Sequence, residues 1–218
     1  MLSGDEASIM ASTFLNKTME KPALNQYWFS EETIKAIVDE VETEGNRVAF
    51  LSTPSVFFSM VDADPTVVQC SRLFDYDVSF ASHPSFVFYD FNNPEELPDH
   101  LLHSFDYVII DPPFITETVW RNYARTTELL WPPGGGKVLA STVIENAPLL
   151  RELFGAKPVN FRPSVPNLVY QYSFFTNYSS SGGPLNTLNS EVDSDDWQGS
   201  EDYRSRATGS SASLPLTQ

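Results

Sequence analysis

The 218-residue sequence predicts an α/β fold: a mostly parallel sheet of about seven strands with helices on both faces. Three observations carry that expectation. Short apolar runs recur along the chain, helical patterns separate several of them, and most of the runs close on Asp, Ser or Thr. Strands that alternate with helices pair in parallel through crossovers, and strands covered on both faces read as near-continuous apolar runs. Ligands of such sheets collect outside the carboxyl ends of the strands, near the point where strand order reverses.

Residues 1–24 read as an N-terminal segment and 25–178 as the folded domain. In SEETIKAIVDEVETEGN, Ser30 is placed to cap a helix, Glu31 and Glu32 favour its positive end, and Ile34, Ile37, Val38 and Val41 share one face. Gly45 ends it. RVAFLSTPS follows as a short buried strand closing at Ser52, Thr53 and Pro54, and VVQCSRLFDYD reads as a second strand ending in Asp75 and Asp77. SFVFYDFNNP is the third, ending at Asp90, and FDYVIIDPP the fourth, ending at Asp111. A helix over TETVWRNYARTTELL leads to the fifth, GGKVLASTVI, while KPVNFRP and NLVYQYSFFTNY form the last pair. From Ser179 the chain becomes rich in Ser, Gly, Asp and Glu, so 179–218 is expected to be a disordered acidic tail. Within it Ser190, Ser194 and Ser200 precede acids, a context suited to acid-directed kinases.

The formal charge of -16, from 29 acidic and 13 basic residues, opposes long-range attraction to nucleic acid or anionic lipid and favours a basic protein partner. Cys70 is the single cysteine, which excludes a disulfide framework or a Cys-rich zinc site, and it reads as a buried small hydrophobe rather than a nucleophile. His83, His100 and His103 lack metal-ligand spacing and read as solvent-facing, so no metal is expected. The first ten residues have neither a basic region nor a long apolar stretch, and no segment reaches transmembrane length; a soluble cytoplasmic protein is expected.

The strand ends carry the chemistry. Asp75, after the second strand, is placed to accept hydrogen bonds from a ribose diol, and Asp90, after the third, from the amino group of adenine. Tyr76 and Phe91 either pack on the adenine face or belong to the core. Asp111-Pro112-Pro113-Phe114 is either a rigid turn or a catalytic tetrapeptide. Two prolines remove two backbone donors and bar Asp111 from starting a helix, leaving its carboxylate at a strand end with Phe114 as a stacking face. A carboxylate rather than an amide suits a substrate that arrives as a cation, which points to a lysine ammonium more than to adenine. Trp28 and Phe29, ahead of the first helix, form either a lid over the site or a hydrophobic staple onto that helix.

QYWFS, FLSTPSV, LFDYD, the run FVFYDFNNPEELPDHLLHSFDYVIIDPPF and the closing NLVYQYSFFTNY together resemble the elongation factor 1-alpha lysine methyltransferase family, a branch once described as N6-adenine methyltransferase-like. The resemblance runs from about Asn25 to Tyr178, and the FYDFNNP run with its spacing to DPPF is its most specific part. It implies a seven-stranded class I methyltransferase (Rossmann-like) fold, S-adenosylmethionine as cofactor, and methylation of a lysine of the elongation factor. It further implies Asp111 to Phe114 as the catalytic motif and Ser52, Thr53, Pro54 and Ser55 as the loop beside the methionine moiety. STPS stands where the wider superfamily has glycines, with hydroxyls of Ser52 or Thr53 as substitute donors. Two competing functions are an adenine N6-methyltransferase and a catalytically silent methyltransferase fold used for binding.

Overall fold

A computed structural model describes residues 13–60, 63–180 and 182–192. Seven strands form one sheet in the order β3-β2-β1-β4-β5-β7-β6. They are β1 Val48–Leu51, β2 Arg72–Asp75, β3 Phe86–Phe88, β4 Tyr107–Ile110, β5 Lys137–Val143, β6 Lys157–Pro158 and β7 Tyr172–Thr176. β1 to β5 pair in parallel, and β7 runs antiparallel to both β5 and β6. Strand order reverses between β1 and β4, so the crevice opens where Leu51 and Ile110, partners in register, end their strands.

Side-chain alternation divides the sheet into two cores. Val48, Phe50, Leu73, Ile109, Leu139 and Phe174 face one layer, which holds helices α1 (Glu31–Glu44), α2 (Pro54–Phe57) and α3 (Pro65–Cys70). Ala49, Leu51, Phe74, Ile110, Ala140 and Phe175 face the other, which holds α4 (Glu117–Leu130) and α5 (Ala147–Phe154). In α1 the predicted face is the buried one: Ile34, Ile37 and Val41 are fully enclosed, each burial contributing about 1.5–3 kcal/mol. Ser30 caps α1 by accepting from the Thr33 amide at 3.2 Å. Gly45 follows it where any Cβ would meet the Val48 side chain at 2.7 Å.

Several expectations are corrected. VVQC is not strand but the body of α3: the Asp64 carboxylate accepts from the Thr66 amide at 2.7 Å and Pro65 occupies the first helical position, so the apolar run is wound into a helix. Cys70, in its last turn, is exposed rather than buried. His83 is only partly exposed; its ring stands edge-on to Phe57 and Phe58 at 5.2 and 5.5 Å. NLVYQ, placed in the last strand pair, is a turn with Val169 and Tyr170 exposed, and KPVNFRP contributes only Lys157 and Pro158 to the sheet.

The tail expectation fails in its first part. Residues 182–192 return to α1: Leu185 is fully buried in the core, the Asn189 amide donates to the Arg162 carbonyl at 2.9 Å, and Ser30 hydroxyl donates to Glu191. One leucine among polar neighbours is enough, because it fills a site that the α1 layer leaves open. Ser190 lies within this strap and is exposed; Ser194 and Ser200 fall outside the described residues. At the other end Phe14 reaches the core, stacked on Phe58 and edge-on to Trp28. Among the described residues no helix is long and apolar enough to cross a membrane.

Candidate active site

A cleft of about 310 Å³ opens over the carboxyl ends of β1, β2 and β4. Of the residues singled out in the sequence, Trp28, Ser52, Pro54, Asp75, Tyr76, Asp90, Phe91 and Asp111 to Phe114 line it. Three do not. Thr53 and Ser55 are buried, 2% exposed each, and the Ser55 backbone carbonyl accepts from the Ser59 hydroxyl at 2.7 Å. Phe29 is no lid: it is buried edge-on against Phe174 at 5.8 Å, in the core with Ile34 as a staple would have it.

The first wall is the end of β1. Ser52 has φ 57°, the left-handed conformation that glycine adopts without cost and other residues only at roughly 1–2 kcal/mol. The missing glycine is thus absent in sequence but present as backbone shape. Its hydroxyl shares a 2.7 Å hydrogen bond with Tyr123 of α4, which fixes the turn from the far side of the cleft.

Asp75 ends β2, buried, with one carboxylate oxygen accepting from the Asp77 amide at 2.8 Å. Burial raises its pKa to about 6; the amide bond opposes this and the neighbouring Asp77 charge adds to it. Asp77 is buried too, and burial alone would raise it, yet donors from Lys21, Ser79 and Gln26 outweigh that and hold it below the usual range. Lys21 contacts both Asp77 oxygens, at 2.8 and 2.7 Å. Asp90 follows β3 and already accepts from the Asn92 amide and side chain at 2.9 Å and from Asn93 at 3.4 Å. A carboxylate offers about four lone-pair positions, so Asp90 keeps room for one more donor.

Asp111 lies at the junction of β1 and β4. Its amide donates to the Leu51 carbonyl at 3.2 Å, continuing the ladder by one bond before the prolines end it. Burial pushes its carboxyl up to about 8, and the Ser141 hydroxyl lies close enough to favour the charged form without meeting hydrogen-bond geometry. Around it stand Phe91, stacked on Tyr123 at 6.0 Å, and Phe114, edge-on to Phe91 at 6.2 Å and half exposed. Tyr172 of β7 completes the wall, its hydroxyl pKa raised by burial and by the Asp111 charge.

Residues that sequence reasoning missed close the cleft from above. Ala23 to Tyr27 line it beside Trp28, so a domain boundary at 25 cuts through one wall. Lys21 and Gln26 bind Asp77 at the end of β2, and the Asn25 amide donates to the Pro113 carbonyl after β4. Asn25 itself sits at φ 52°, a conformation asparagine tolerates. Ser141 and Tyr172 carried a signal, namely strand alternation. Asp111 is two beyond Ile109, Ser141 two beyond Leu139 and Tyr172 two before Phe174, all on one face of the sheet.

Residues 20–180 match a family model described as probable N6-adenine methyltransferase. The chain belongs to that family. It is 35% identical over 168 residues to human EEF1A lysine methyltransferase 1, covering 72% of this chain and 74% of that one. A protein-lysine N-methyltransferase of Dictyostelium discoideum is 33% identical over 162 residues, covering 72% and 76%. A branched-chain polyamine synthase from Thermus thermophilus, solved with 5'-methylthioadenosine, superposes with a TM-score of 0.57 at 14% identity, over 80% of this chain and 63% of that one, a likeness of fold alone. The fold is the Rossmann-like sheet of class I methyltransferases, as the sequence resemblance implied.

Proposed function

We propose that the protein is a cytoplasmic, S-adenosylmethionine-dependent protein-lysine N-methyltransferase whose substrate is a lysine of elongation factor 1-alpha, a basic protein partner. The observation that carries this reading is Asp111. A part-buried carboxyl at the strand end, with no cation against it among the described residues, is costly to ionise, and burial raises its pKa to about 8. A lysine ammonium entering past Phe91 and Phe114 supplies the missing positive charge, whereas the neutral amino group of adenine does not. The relatives named for lysine methylation support the same choice.

The donor set fits the cofactor. Asp75 offers a carboxylate to a ribose diol, Asp90 keeps an acceptor position for the adenine amino group, and the Ser52 turn brings backbone close to where a methionine carboxylate would lie. When bound, S-adenosylmethionine supplies an electrophilic methyl on a sulfonium. Asp111 holds the ammonium in place, then accepts one proton as the nitrogen becomes a free amine, while the rigid Pro112 carbonyl accepts a second hydrogen and fixes the lone pair's direction. Phe114 and Tyr172 exclude water around that nitrogen. Incubating the protein with labelled S-adenosylmethionine and a cell lysate, with and without nuclease, tests the assignment. Label in a nuclease-resistant protein of the elongation factor's mass is expected; label lost on nuclease treatment would make adenine the substrate.

A further inference from the structure

We propose that Ser141 is a positioning residue, whose hydroxyl donates to the Asp111 carboxylate, favouring its ionised form and aiming it at the cleft when the lysine arrives. The inference rests on the lysine reading above and concerns a residue outside the cleft lining. β4 and β5 run in parallel with Ile110 opposite Ala140, so the next pair in register is Asp111 beside Ser141. Alternation puts both on the face that carries Ile109 and Leu139. The Ser141 hydroxyl is buried, 2% exposed, and has no hydrogen-bond partner. A buried hydroxyl without a partner is unfavourable in a strand whose neighbours on this face are Leu139 and, across β7, Phe174. An apolar side chain would serve packing better there. The hydroxyl rotor can turn its hydrogen toward an ionised neighbour, and the Asp111 carboxylate is the acceptor beside it.

The other groups facing Asp111 do not replace this donor. Tyr172 from β7 and Tyr123 from α4 are titratable neighbours, both kept protonated chiefly by burial and further by the Asp111 charge. Tyr123 is already engaged with Ser52. From β1 the Leu51 carbonyl accepts from the Asp111 backbone amide, leaving the carboxylate free of it. Among the described residues no cation counters the carboxylate, so burial raises its pKa and Ser141 alone pulls it back. A donor to the charged form shifts the acid's titration down, so its removal should move the midpoint up by about one unit.

The test compares S141A, S141C and S141T with wild type in full-length protein carrying carbon-13 carboxyl labels on aspartate, with Asp111→Asn assigning the resonance. S141A and S141C, which lose the strong donor with and without loss of side-chain volume, should titrate about one unit higher at Asp111. S141T, which keeps the hydroxyl, should stay near wild type. The acid limb of the kcat profile for lysine methylation should move up by the same amount in the first two variants, with S-adenosylmethionine affinity unchanged. Equal midpoints in S141A, S141C and wild type would overturn the proposal, as would an upward shift shared by S141T, which would assign the effect to packing. If the wild-type protein methylates no lysine, the carbon-13 midpoints still decide the contact and the failure falls on the functional reading.

Discussion

Lys21 and Asp77 are joined across the mouth of the cleft, Nζ to Oδ2 at 2.7 Å, with the aspartate buried and the lysine part exposed. The pair ties a segment ahead of the first long helix to the turn after β2, two residues from Asp75, the carboxylate proposed for the ribose. Lys21→Met should therefore loosen the cover over the cofactor without touching its ligands. An exposed lysine partner limits the pair to about 1 kcal/mol, so the dissociation constant for S-adenosylmethionine should rise about fivefold by calorimetry. Unchanged affinity would mean that the segment covers the cleft without holding it closed.

Asp75→Ala should weaken cofactor binding by about 1–3 kcal/mol, the usual penalty for a buried hydrogen bond left unmade. Wild-type affinity should also fall as pH drops through about 6, because the raised pKa makes Asp75 a neutral acid there and removes one acceptor. A binding isotherm series from pH 5 to 8 on wild type and Asp75→Asn checks both; a flat wild-type profile would take Asp75 out of the cofactor site.

Asp111 should oppose stability as it serves chemistry. Its folded pKa of about 8 lies above the ordinary carboxylate value of 3.8, so the folded state binds the proton more tightly and the resulting stability is lost as pH rises between those values. Asp111→Asn removes that dependence. Relative to wild type the variant should gain about 2–4 kcal/mol between pH 4 and 8 in denaturant melts. Its methylation rate should fall at neutral pH by about 2–4 kcal/mol in barrier and recover in part as free amine becomes more abundant at higher pH. Parallel stability curves for the two proteins would remove the case for an uncompensated carboxyl.

Leu185→Ala should lower stability by about 2–5 kcal/mol, as for other fully buried leucines, and truncation before Gly183 should cost at least as much. The melt should stay cooperative for the point variant. A midpoint equal to wild type would return the strap to the status of a solvated tail.

Much of the fold was legible because its elements obey single periods. α1 announced itself by a capping serine and a clean apolar face, and β4 by a run of four buried residues stopped by two prolines. The acids at strand ends could be placed on one rim for the same reason: parallel strands of similar length end together. What could not be read depends on side chains meeting from distant segments. Nothing in VVQC distinguishes strand from helix except the Asp64-Pro65 start before it, and nothing local marks Leu185 as core. Phe29 and Trp28 are neighbours, yet Phe29 packs on Phe174 while Trp28 packs on Phe14 and borders the cleft. That choice is made by the partners of α1, not by the dipeptide. Ser141 looked like filler in an apolar strand until register set it beside Asp111.

The hydrogen bond from the Asp111 amide to the Leu51 carbonyl also bears on when the chain acquires function. β1 and β4 are adjacent in the sheet, yet the chain completes β2 and β3 between them, so their closure is a long-range event with a large loop entropy to overcome. Local helices such as α1 and α4 can form early, but they position no carboxylate until that central seam closes. A kinetic intermediate with native-like helix content should therefore be silent, and catalytic competence should appear in the same step that completes the middle of the sheet.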